Sequence, residues 1–284
     1  MRRWVVAAVV AAVLVAILAA AAARSDETTP QRHRVVTADY LPGVGADLFL
    51  PAHVQRAPLV VLIPGGGWQT SGRRGLQPLA ERLVSRGIVA VTATYQAASD
   101  GVRFPVPAAD VECAIDFATA RTRRAGITPG PVLALGHSAG AHLAMLTALT
   151  GQRFRAAHCS YPPARVDGVI GLAGPYNIMS LQTLAQHLFG ASPAADPTDW
   201  RTANPVTWVR QRPNMPVLLA NGTDDTTVSP TFATSFAERL RAAGHPVRLE
   251  IVPGANHGSI FQPDVIAHRI LAWIHSPIVR SGRA

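Results

Sequence analysis

Lysine is absent from all 284 residues, so the 26 basic residues are all arginine. Total replacement of this kind reads as the codon bias of a GC-rich genome, because the arginines are scattered along the chain. The densest pairs, Arg73-Arg74 and Arg123-Arg124, stand far apart without interleaved aromatics, which argues against a nucleic-acid surface. Cysteine is nearly absent too. Only Cys113 and Cys159 are present, neither in a CxxC pair nor in a metal-like cluster with histidine, so zinc binding and thiol redox catalysis find no support. Charged residues make up only 15% of the chain against 48% hydrophobic, the reverse of a disordered composition. The 23 Gly and 23 Pro follow no period, which excludes a collagen-like or low-complexity chain. No internal repeat or interior linker interrupts the chain, and its length suits one large α/β unit.

One long hydrophobic run is present. Arg2 and Arg3 precede an unbroken apolar stretch from Trp4 to Ala23, followed by Arg24 and the polar residues Ser25 to Gln31. The positive start, apolar core and Ala21–Ala23 end form the pattern of an export signal. Twenty apolar residues also suffice to cross about 30 Å of hydrocarbon, so an uncleaved anchor is the alternative. No Cys follows the run, which argues against a lipid-modified N-terminus. Either way the body is expected to be exported, secreted or held at the outer face of the cytoplasmic membrane. Without residues 1–24 its formal charge falls from +9 to +6. In an oxidising compartment Cys113 and Cys159 can form one disulfide; two buried unpaired thiols are the other reading.

From residue 33 onward, short apolar or β-branched runs alternate with longer amphipathic segments, the signature of an α/β sheet. Strands are expected over 34–40, 46–50, 59–63, 89–94, 132–135, 168–172, 217–220 and 247–252. Internal runs such as Leu59-Val60-Val61-Leu62-Ile63 lack polar alternation, as strands covered on both faces should. Helices are expected over 75–86, 108–124, 139–149, 180–189, 230–243 and 263–275. The least regular stretch, 175–213, can cover a site or merely connect.

Gly136-His137-Ser138-Ala139-Gly140 follows one expected strand and opens a helix. A nucleophilic serine in a sharp strand-to-helix turn needs small neighbours, because its strained backbone brings adjacent segments close. Upstream, Pro64-Gly65-Gly66-Gly67-Trp68 leaves the end of another strand. Consecutive glycines let backbone amides converge where negative charge develops on a former carbonyl oxygen. No GK[ST] follows and GxGxxG is not matched, so a nucleotide cradle is disfavoured. Asp224 and Asp225 follow the strand at 217–220, and Gly254-Ala255-Asn256-His257-Gly258 follows the strand at 247–252. The order Ser138, Asp225, His257 is the nucleophile, acid, histidine order of one large hydrolase architecture.

Together these motifs resemble the α/β-hydrolase superfamily, in particular its esterase/lipase group, akin to hormone-sensitive-lipase-like and feruloyl-esterase-like carboxylesterases. The resemblance spans about residues 33–276. It implies a mostly parallel eight-stranded sheet flanked by helices, without a large cap domain. By the same resemblance Ser138 is the nucleophile, His257 the general base, Asp225 its orienting acid, and the amides of Gly66, Gly67 and Ala139 the oxyanion hole. Asp225 is preferred to Asp224 because the family spacing Gly-x-x-Asp-x-x-Val fits Gly222, Asp225 and Val228. One departure is Pro64, where the family usually carries His. Trp68 is a candidate wall of the substrate pocket. The expected layout is a signal peptide or anchor over 1–24, a polar linker over 25–32, the catalytic domain over 33–276 and a tail over 277–284.

The implied reaction is hydrolysis of a small-molecule ester, and nothing in the motifs calls for a metal or organic cofactor. A peptidase, amidase or acyltransferase on the same fold is the alternative, to be separated by comparing p-nitrophenyl esters with aminoacyl anilides. An inactive hydrolase-fold binding protein would carry a broken triad, whereas Ser138, Asp225 and His257 are all present.

Overall fold

The computed structural model describes residues 33–280, apart from the side chain of Arg280. The expectations for residues 1–24 and 25–32, and for the last four residues of the tail, lie outside these. Among the described residues no helix is long and apolar enough to cross a membrane.

Eight strands form one sheet: β1 (His33–Leu41), β2 (Val44–Pro51), β3 (Arg56–Ile63), β4 (Val89–Ala93), β5 (Thr128–His137), β6 (Gly168–Leu172), β7 (Val217–Gly222) and β8 (Val247–Val252). Their order is β1-β2-β4-β3-β5-β6-β7-β8. The β1–β2 and β2–β4 pairs are antiparallel and the others parallel. The mostly parallel α/β-hydrolase architecture expected from the motifs is therefore the one observed.

The helices are α1 (Gln77–Val84), α2 (Val106–Arg124), α3 (Ala139–Thr150), α4 (Gln182–Phe189), α5 (Pro197–Thr202), α6 (Thr231–Ala242), α7 (Pro263–Ile274) and α8 (Pro277–Arg280). They cover both faces of the sheet, and β3 shows why its sequence is apolar throughout. Leu59, Val61 and Ile63 pack into a core shared with α2, α3 and α6, while Val60 and Leu62 enter a second core with α1 and α7. The expected boundary at residue 276 is too early, since α8 buries Val279 in that second core.

Two features refine the sequence reading. β5 begins at Thr128, four residues before the apolar run, because Thr128 and Pro129 pair with Arg56 and Ala57 of β3. Cys113 on α2 is bonded to Cys159 in the connection between α3 and β6, with Cα atoms 5.7 Å apart.

Parallel pairing puts the C-terminal ends of β3, β5, β7 and β8 at one edge of the sheet. The loops after those four strands are the ones that carry the glycine run, Ser138, Asp225 and His257.

Candidate active site

Ser138 sits between β5 and α3 with φ 53° and ψ −121°, a conformation costly for any residue with a Cβ. The surroundings hold it there by exclusion. A Cβ on Gly136 would run into the Gly140 carbonyl, and one on Gly140 would run into the carbonyls of Ile63 and Pro64. The two glycines thus let β5, α3 and the end of β3 meet at backbone contact, and the Ser138 amide donates to Leu172 O at 2.9 Å.

The structure brings Ser138, His257 and Asp225 together. Ser138 Oγ lies 2.9 Å from His257 Nε2, and His257 Nδ1 lies 2.8 Å from Asp225 Oδ2. The Asp225 carboxylate is buried and accepts from the amides of Thr227 and Val228 at 2.9 and 2.8 Å, with Asn221 Nδ2 at 3.3 Å. Three donors so placed fix the carboxylate in position. With Nδ1–H donating to that carboxylate, Nε2 is left as the acceptor facing the serine hydroxyl. Asp224, the rejected alternative, is exposed and accepts from Thr223 Oγ1 instead.

The glycine loop lies against this turn, its Gly65 so close that a Cβ there would stand 3.0 Å from Ser138 Cβ. Gly66 O accepts from the amides of Gln69 and Thr70, closing a turn that requires φ of 135° at Gly66 and 59° at Gly67. The amides of Gly66, Gly67 and Ala139 donate to no acceptor among the described residues. For Ala139 this follows from its place in the first turn of α3, where amides lack intrahelical partners.

Trp68 is corrected by the structure. It is fully buried, so it is no wall of an open pocket. Its indole N–H donates to His142 Nδ1 at 3.2 Å, and His142 Nε2–H donates to Ala203 O at 2.8 Å. Burial lowers the His142 pKa to about 4, so the ring is neutral and both nitrogens are satisfied. One side chain of α3 thereby ties the glycine loop to the end of α5. The irregular stretch 175–213 packs onto the site as well, with Leu184 of α4 beside Gly67.

His137 supports the site from the position next to the serine. Its Nε2–H donates to the carbonyl of His257 at 2.9 Å, and its ring packs against His257 and Phe261. Burial, with the neighbouring His257 second, lowers its pKa to about 4, so it braces the His257 loop as a neutral ring. Its position next to Ser138, and that of His142 four residues beyond, was the available signal. Among the described residues no group of three His, Cys, Asp or Glu could hold a metal ion.

Comparisons with known proteins agree with this architecture. A family model described as BD-FAE matches residues 46–240. Esterase LipC of Mycobacterium tuberculosis is 31% identical over 71% of the chain and 53% of its own length. A probable isoprenylcysteine alpha-carbonyl methylesterase of Arabidopsis thaliana, ICMEL1, is 26% identical over 82% of the chain and 52% of its own length. The chain thus spans about half the length of the curated relatives it matches. Among solved structures, a truncated carbohydrate esterase from gut microbiota superposes with a TM-score of 0.73 at 18% identity, covering 86% of the chain and 98% of that structure. Thermogutta terrifontis esterase 2, phosphoramylated by tabun, gives 0.69 at 23% identity, covering 88% of the chain and 97% of that structure.

Proposed function

The chain belongs to the BD-FAE family, and from that premise we propose that it is an exported serine hydrolase that cleaves carboxylic esters of small molecules through an acyl-enzyme. The observation that carries the reading is the 2.9 Å approach of His257 Nε2 to a serine held at the start of a helix. The esterase names of its relatives favour the same chemistry.

In the proposed reaction His257 takes the Ser138 proton as Oγ attacks the ester carbonyl, and the Asp225 carboxylate stabilises the imidazolium that forms. The tetrahedral oxyanion is held by the amides of Gly66, Gly67 and Ala139, each worth about 3 to 4 kcal/mol in barrier. His257 then protonates the departing alcohol. Water, activated by the same imidazole, releases the acid and restores Ser138.

An organophosphonate tests the assignment. Mass spectrometry of the inhibited protein is expected to place one adduct on the Ser138 peptide, and Ser138→Ala is expected to abolish both labelling and turnover of p-nitrophenyl esters. An adduct elsewhere, or full turnover in Ser138→Ala, overturns it. The export reading is tested by the N-terminus of the protein recovered from outside the cytoplasmic membrane; accumulation of the whole chain inside the cell contradicts it.

A further inference from the structure

The sheet sorts charge as well as chemistry. β1 and β4 both run antiparallel to β2, so β1 starts at the edge opposite Ser138, and Arg34 is its second residue. α2, which precedes β5, ends at that same edge with Arg121, Arg123 and Arg124 in its last turn. Arginines almost ninety residues apart in sequence are therefore neighbours. Arg34, Arg121 and Arg124 line one groove of about 290 Å³ floored by Val36, Leu48 and Leu50. No guanidinium group of these arginines, nor that of Arg123, has a hydrogen bond or ion pair with another described residue; Arg121 lies over the Phe117 ring, 5.8 Å from its centroid. Two buried carboxylates on the adjoining elements, Asp116 and Asp47, are already engaged by Arg155 and Arg73.

We propose that this edge is a docking face for an anionic phospholipid surface. Guanidinium groups match phosphate geometry and are weakly hydrated for cations, and an apolar floor between them suits the glycerol and acyl portion of a headgroup region. A soluble polyanion would have no use for that floor. The chain itself supplies the reason to meet a bilayer, because only ten residues separate Ala23, the end of the apolar run, from Arg34. Fully extended they reach at most about 35 Å. Docked in this way, the protein turns the Ser138 edge away from the lipid. The anchored reading of residues 1–24 supplies proximity to a bilayer but not the dependence on lipid charge, and the test separates the two.

The full chain is mixed with phosphatidylcholine vesicles, with and without phosphatidylglycerol, and amide hydrogen exchange is followed over 33–36 and 121–126 in the floated fraction. Flotation with both vesicle types supports the anchor. Exchange slowed severalfold only with phosphatidylglycerol, and restored by salt or in the Arg34→Gln, Arg121→Gln, Arg123→Gln, Arg124→Gln variant, supports the docking face, since each charge removed weakens the apposition by about fivefold. Equal exchange in both vesicle types overturns it even when the chain floats. If the chain floats with neither, the anchor reading fails and the docking face falls with it. If it floats only with phosphatidylglycerol and the variant does not, the face stands without the anchor. Turnover of a soluble p-nitrophenyl ester, unchanged in the variant, shows that the fold survives.

Discussion

The two ends of α3 are built on different principles. At Ala139 the chain is held by exclusion: Gly136, Gly140 and Gly65 permit backbone contacts that any Cβ would forbid, and Ser138 stays in an unfavourable conformation because nothing else fits. Beyond Thr150 it is held by attachment. The segment 151–166 is strapped to α2 by the Cys113–Cys159 bond, by Asp116 to Arg155 and Gln152, and by Glu112 to the Phe154 amide. Exclusion fixes atoms to within fractions of an ångström and tolerates no substitution, which suits chemistry. Attachment tolerates loss of one link at a cost in stability. Activity and stability should therefore respond separately to changes at the two ends.

The largest effect is expected at the exclusion end. Asp225→Asn keeps the shape of the side chain but not its charge, and leaves His257 without an anion to fix its proton on Nδ1. Turnover of p-nitrophenyl esters should fall by about 10⁴-fold, with the melting temperature within a few degrees of the original. A loss of tenfold or less would mean that Asp225 does not orient the base.

The attachment end should answer in the opposite way. Replacing Cys113 and Cys159 together by Ala frees a loop whose ends are 46 residues apart, and unfolding free energy should drop by about 3 to 4 kcal/mol in urea titration. Ester turnover at a temperature where both proteins are folded should not change. A parallel loss of turnover would show that the strap reaches the site, and the separation drawn above would fail.

His142 tests whether exclusion alone holds the site. It lies on the first turn of α3, yet it works by attachment, joining Trp68 to Ala203. His142→Leu keeps the bulk and removes both bonds, leaving a buried indole N–H and a buried carbonyl without partners, which costs about 1 to 3 kcal/mol in stability. If the glycine loop depends on that link, kcat falls by about tenfold while KM changes little. Unchanged kcat would assign the loop's geometry to its own turn at Gly66.

Much of this was legible because backbone requirements leave marks in composition. Buried parallel strands must be apolar on both faces, so the β3 run stood out, and a strained serine must sit between small residues, so Gly136 and Gly140 marked it. Direction is not written in this way. Trp68 reads equally as a pocket wall or as core, since an aromatic residue does not declare which side of a loop it faces. α5 escaped notice because it has six residues, starts at Pro197 and buries one large side chain, Trp200, too short for a period. The arginines near the start of β1 and the end of α2 looked scattered for a related reason: only the strand order makes them neighbours.

The smallest expected effect belongs to a single proton at the attachment end. Glu112 is buried on α2, with Oε1 accepting from the Phe154 amide and Oε2 without a partner. Burial first, and the nearby Asp116 charge as well, pushes its pKa up to about 8. The folded protein therefore holds a proton that the unfolded chain releases near pH 4.3. Folded-state affinity exceeding that of the unfolded chain means that the contribution to stability is complete below about pH 4 and is lost as pH rises toward 8. Glu112→Gln imitates the protonated form at every pH. At pH 8 the variant should be more stable than the original, and at pH 4 the two should agree. Urea titrations at the two pH values read this directly. Equal stability at both would mean that Glu112 stays ionised beside Arg155, and the strap would then be held by paired charges rather than by a neutral acid.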